Sequence, residues 1–268
     1  MENTNWIKLM SSSEFAERKK TCDTVIIPVG ATEVYGPHMP MGSDIIVAQD
    51  VAELVAAKTN AMIGPSLEVG ESYSLTKYPG TLYLRPTTWM AVIEDFMASL
   101  LRLGFKNFMF INGHAGNVPM VGQVCRPLER ELGIKTAQVD WWRFTQQKAL
   151  GVCETTGWMC HGHASECGTS VMLHLHPEYV DMSKAERVTP KEGEEYGKFD
   201  DFIDYTVFNE TTECGILGDA TIATAEKGKV VVERCVRSIP SSAAMYFGTK
   251  FPLRTSHKLI QKRKYDHV

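Results

Sequence analysis

The chain has 268 residues, 44% hydrophobic and 22% charged, enough to enclose a full core in one domain spanning 1–268. Its formal net charge of −4 supplies no basic field to collect phosphate, which argues against nucleic acid or a membrane surface as partner. The opening MENTNWIKLMSSSEFAERKK lacks a signal-peptide core, no later run is long enough to span a bilayer, and seven cysteines without framework spacing point to a reduced, cytoplasmic setting.

The first element expected is a buried strand over Asp23–Gly30 (DTVIIPVG), a short, nearly all-apolar run closed by glycine. Asp44–Lys58 carries apolar residues at helical spacing behind Ser43, a candidate N-cap. Ala61–Pro65 reads as a second strand. Thr88–Leu103 has one apolar helical face, marked by Met90, Ile93, Phe96, Met97, Leu100 and Leu101, and ends at Gly104. Lys106–Asn112 is a third strand, Val118–Leu132 a helix, Ile134–Asp140 a fourth strand, and Glu166–Leu175 a further helix stopping before Pro177. Between Ser183 and Gly218 the pattern weakens, and the acidic EGEEYGKFDDF reads as an excursion rather than a second domain. Ala220–Phe247 regains helical spacing, with Pro240 expected to break it. The basic tail Lys258–Lys264 reads as a solvated or subunit-contacting terminus. The β-α-β-α-β-α-β order predicts an α/β fold: a mostly parallel central sheet with helices on both faces, a three-layer α/β/α.

In such a sheet, ligands collect beyond the carboxyl ends of the strands. There the polar residues concentrate: GATEVYGPHMPMGSD with Glu33, Tyr35, His38 and Asp44; NGHAGN with His114; DWWRF with Trp141 and Trp142; and HGHASECGTS with His161, His163 and Glu166. Any one segment has a plain explanation, since a lone acid after a strand is commonly a helix cap. Imidazole and carboxylate recurring in these strand-end segments point instead to a divalent metal: zinc first, with manganese or iron possible. Cys160, His161, His163 and Cys167 offer a rival thiolate–imidazole zinc site, but their spacing matches no zinc-finger pattern. A serine-nucleophile elbow, a P-loop and a dinucleotide-binding turn are all missing.

The segments GATEVYGPHMPMGSD, YPGT, NGHAGN and HASECGTS resemble the signature blocks of the creatininase (creatinine amidohydrolase) family, in the family's order over roughly residues 23–185, and GDATIATAEKG adds to the likeness. The resemblance implies a creatininase-like α/β fold, a metal-activated water, a small-molecule substrate and a homo-oligomer, commonly a hexamer. Matched to the family blocks, Glu33, Asp44, His114 and Glu166 become metal ligands, with Asp44 able to bridge two metals. His163 becomes the proton-transfer residue and Trp142 a substrate lid. Tyr73 and Asn117 are further candidate substrate contacts, and Tyr35 and His38 candidate donors to the substrate carbonyl.

The departures from the family pattern are specific. Tyr35 stands where the family usually has a second-metal histidine, which leaves the count open between one metal and two. Gly168 replaces the second glutamate of the last block, Gly116 stands where creatininase itself carries an acid, and Leu75–Lys77 replaces a region where relatives often carry a histidine. They argue against creatinine itself. The function expected is hydrolytic opening of a small polar ring, at a cyclic amide C–N bond. A C–C ring-opening hydrolase of a diketo-inositol is the alternative, and a ligand-binding relative without turnover is a third reading.

Overall fold

The structure is a computed structural model that describes residues 4–190, 201, 208 and 211–249. The basic tail and nearly all of the acidic excursion lie outside the described residues.

Four parallel strands form the central sheet: β1 (Thr24–Val29), β2 (Met62–Ile63), β3 (Asn107–Asn112) and β4 (Lys135–Asp140), in the order β2-β1-β3-β4. Side chains alternate across β1 and divide the core. Val25, Ile27 and Val29 pack with Phe108, Phe110, Met62 and the apolar faces of α3 (Pro86–Arg102) and α4 (Val118–Leu132). Ile26 turns the other way, with Met109 and Ile111, towards α2 (Ser43–Ala56), α5 (Trp141–Ala149), α6 (Glu166–Leu175) and α7 (Ala225–Phe247). This is the three-layer arrangement expected, a sheet sealed by helices on both faces.

Two local expectations are corrected. Gly42, not Ser43, occupies the N-cap of α2; Ser43 is already helical, and its hydroxyl donates to the Pro40 carbonyl at 2.6 Å. Pro240 does not end α7, which runs unbroken to Phe247. Val236, Ile239, Pro240, Ala243 and Phe247 are all buried, so the packing of this face offsets the lost backbone bond. Elements not anticipated are α1 (Ser12–Lys19), opened by a Ser11–Glu14 capping box, the helix α5 directly after β4, and the short antiparallel pair β5 (Arg187–Val188) and β6 (Gly218–Asp219).

Candidate metal centre

β1 and β3 are neighbours, and Val29 lies opposite Asn112, so the segments leaving their carboxyl ends emerge side by side. One delivers Glu33 and the other His114, while the first turn of α2 contributes Asp44. All three are buried, and one ligand atom from each falls within 4.8 Å of the others. His114 Nδ1 lies 3.2 Å from Glu33 Oε1 and 3.2 Å from Asp44 Oδ2. Its other nitrogen, Nε2, is 2.8 Å from the Glu71 carbonyl, an acceptor that fixes the proton there and leaves Nδ1 facing the carboxylates. Ser72 donates to Glu33 Oε2, and Trp142 Nε1 donates to Asp44 Oδ1 at 3.0 Å and to the Gly113 carbonyl at 2.6 Å. Two carboxylates and one imidazole, each oriented by an outer hydrogen bond, make a donor set that suits zinc or manganese.

The charges in this group are interdependent. Burial opposes ionisation of Glu33, but the His114 and His163 charges override it and hold the carboxyl well below the usual range. Asp44 moves the other way, because burial, reinforced by the Glu33 charge, outweighs its bond to His114. His114 is raised well above an ordinary histidine: burial acts against its charge, and Glu33 and Asp44 more than compensate. The pocket therefore calls for one buried positive charge, which a proton on Nδ1 or a divalent cation satisfies.

His163 stands beside this group, its Nε2 3.3 Å from Glu33 Oε1 and its Nδ1 2.7 Å from the Gly215 carbonyl. A backbone bridge to Leu217 holds it on both sides, with His163 N–H donating to the Leu217 carbonyl at 3.0 Å and Leu217 N–H returning at 2.8 Å. Gly162 and Ala164 flank it in the left-handed region, at φ +40 and +53. For Ala164 that backbone costs about 1–2 kcal/mol. The ring is packed by Tyr35 and Phe208, each 4.8 Å away between centroids. Burial and then the charges of Asp44 and Glu33 keep the Tyr35 phenol protonated, a hydrogen-bond donor rather than a phenolate ligand.

Several expected site residues are placed elsewhere. Glu166 is fully buried, but its carboxylate accepts from the Glu154 and Thr155 N–H groups at 2.8 Å each and from Lys227 Nζ at 2.7 Å. The phase of α6 explains this. Residues two apart on a helix point to nearly opposite sides, and it is Gly168 that faces Tyr35 and Trp142. Asn117 is a brace rather than a substrate contact, with its amide bonded to the Gly30 carbonyl, Asn112 Oδ1 and the Glu71 N–H. His38 Nε2 sits 2.9 Å from Thr169 Oγ1, whose own proton goes to the Ala164 carbonyl. The one N–H of neutral His38 is thereby spent, and burial lowers its pKa to about 4. Trp142 is buried and orients Asp44, with His161 stacked on it at 6.4 Å between centroids. Tyr73 is 64% exposed, edge-on to Tyr83, and is the one candidate substrate contact that faces solvent. The carbonyls of Glu71 and Gly215 carried no signal in the sequence, since backbone acceptors leave no mark on residue type, and Ser72 is brought to Glu33 by a loop with no periodic pattern.

The creatinine amidohydrolase family model, Creatininase, matches residues 8–241. The chain is 29% identical to creatinine amidohydrolase of Pseudomonas putida, over 89% of this chain and 96% of that protein. It is 28% identical to 3-dehydro-scyllo-inosose hydrolase of Thermotoga maritima, over 85% and 79%. The solved structure "Creatininase Mn" superposes with a TM-score of 0.76 at 27% identity, covering 91% of this chain and 99% of that one. A family match over most of the chain, a shared fold and a buried carboxylate–imidazole group at the strand ends place this protein in the creatininase family, as a metal-dependent hydrolase.

Proposed function

We propose that this hydrolase opens a small polar ring at a cyclic amide C–N bond, using one divalent ion, zinc first, held by Glu33, Asp44 and His114. The observation that carries the reading is the convergence of those three groups with His163 Nε2 at 3.3 Å from Glu33. When bound, the ion supplies Lewis acidity, which brings the pKa of water to about 7 and polarises a carbonyl. His163, anchored through Nδ1 on Gly215, takes a proton at Nε2 and returns it to the departing nitrogen. Tyr35 donates to the carbonyl oxygen as charge develops there. Tyr73 lies at the exposed rim, where a substrate enters.

A single ion is favoured by the residues that replace the second site. Tyr35 is a protonated phenol in place of an imidazole. A side chain at Gly116 would begin 2.3 Å from the Glu71 carbonyl oxygen, so no acid fits there. C–C ring opening of a cyclic diketone is the second reading, favoured by the similarity to the inosose hydrolase. A panel of lactams, formamides and cyclic diketones separates the two: turnover of lactams is expected, and turnover of diketones alone overturns the C–N reading. By family resemblance the chain assembles as a homo-oligomer, expected to be a hexamer by light scattering.

A further inference from the structure

The functional site leaves unused a second convergent group of ligating atoms. Cys153 lies in the turn after α5, Cys160 ends the 3₁₀ turn Gly157–Cys160, and Cys167 is the second residue of α6. The fold brings their three sulfurs within 4.8 Å of one another, with exposures of 8%, 2% and 0%. All three are free thiols. Three thiolates about 2.3 Å from a common ion in a trigonal plane stand about 4 Å apart, so this group needs little rearrangement to close on one.

We infer that Cys153, Cys160 and Cys167 form a trigonal sulfur site for a soft monovalent cation, cuprous copper, distinct from the carboxylate–imidazole centre. The donor set decides the ion. It is all sulfur, and among the described residues no imidazole or carboxylate joins it as a fourth ligand. Structural zinc sites close a tetrahedron of four ligands, whereas soft thiolates select Cu(I), which accepts three-fold coordination. Binding replaces the protons of the ligating thiols, which pass to solvent; copper stays cuprous and no sulfur is oxidised, so no oxidant is required. The sulfur group also borders the centre. Cys167 precedes Gly168, which faces Tyr35, and Cys160 precedes His161, which stacks on Trp142.

The test is anaerobic titration of the reduced full-length protein with Cu(I) in competition with bathocuproine disulfonate. The wild type is expected to withdraw one Cu(I) per chain and to gain an ultraviolet thiolate-to-copper charge-transfer band. Cys160→Ser should lose the band and at least tenfold in affinity, while His114→Ala keeps both. If Cys160→Ser fails to fold, Cys153→Ser, at the more exposed edge of the group, carries the same expectation. No uptake by folded wild type, equal uptake by the serine variants, or displacement of copper by equimolar Zn(II) would overturn the assignment.

Discussion

His163 and Tyr35 are separable at the level of single atoms. His163 is held through Nδ1 while Nε2 faces Glu33, so His163→Ala should remove proton transfer without removing a metal ligand. General acid–base groups contribute about 10²–10⁴-fold; a kcat loss of that size with unchanged metal content is the expected outcome, measured on a turned-over lactam. Tyr35 is matched to its neighbour. A Cβ at Gly168 would meet the Tyr35 hydroxyl at 3.5 Å and Trp142 Cη2 at 3.7 Å, ordinary contact distances that leave no path for a longer chain. Gly168→Ala should therefore fold and turn over like wild type, while Gly168→Glu should displace Tyr35 and Trp142 and lose activity. Equal activity of the two variants would show that Tyr35 and Gly168 are unrelated replacements.

Among the elements, the α6–α7 contact is where packing overrides helix propensity. Gly228 in the first turn of α7 lies against the backbone of α6, and a Cβ there would sit 1.8 Å from the Ser170 carbonyl oxygen. Replacing glycine with alanine inside a helix ordinarily stabilises by about 1 kcal/mol. Here the clash with backbone reverses the sign, and Gly228→Ala should destabilise by at least the roughly 1–3 kcal/mol typical of overpacking, read as a lower denaturation midpoint. The other end of α6 is tied to α2, because His176 Nε2 lies 2.6 Å from Asp50 Oδ2. That contact with Asp50 raises the His176 pKa. A raised folded-state pKa gives stability that is complete below the unfolded value of about 6.5 and fades as pH rises through the folded value. His176→Gln should accordingly lower Tm at about pH 5.5 and have little effect at about pH 9; a deficit independent of pH would contradict the assignment.

At the scale of the whole molecule, the sheet was legible because its strands are short apolar runs set between amphipathic helices, the signature of a sheet covered on both faces. The helix α6 was expected at Glu166–Leu175 and is found there, yet the phase of its first turn was not legible, and so Glu166 was assigned to the metal while its carboxylate serves Lys227 and the 154–155 turn. The strand-end segments were legible because acids and histidines recur after strands that a parallel sheet must align, but it was the resemblance to the creatininase blocks that picked Glu33, Asp44 and His114 out of them. The hydrogen bonds that aim them, from Ser72 and Trp142 and onto the Glu71 carbonyl, depend on how loops fold back, which periodicity does not encode. The sulfur group was hidden for the same reason: Cys153 comes from a turn with no periodic signal.

In the proposed reaction, Glu33, Asp44 and His114 hold a catalytic divalent ion. Metal content per chain by plasma mass spectrometry tests it most directly, on wild type, His114→Ala and Cys160→Ser purified without chelator. Close to one equivalent of zinc, manganese or iron is expected in wild type and in Cys160→Ser, with its loss in His114→Ala. A wild type that holds none of these metals even after reconstitution, or a His114→Ala protein that holds as much as wild type, would contradict it.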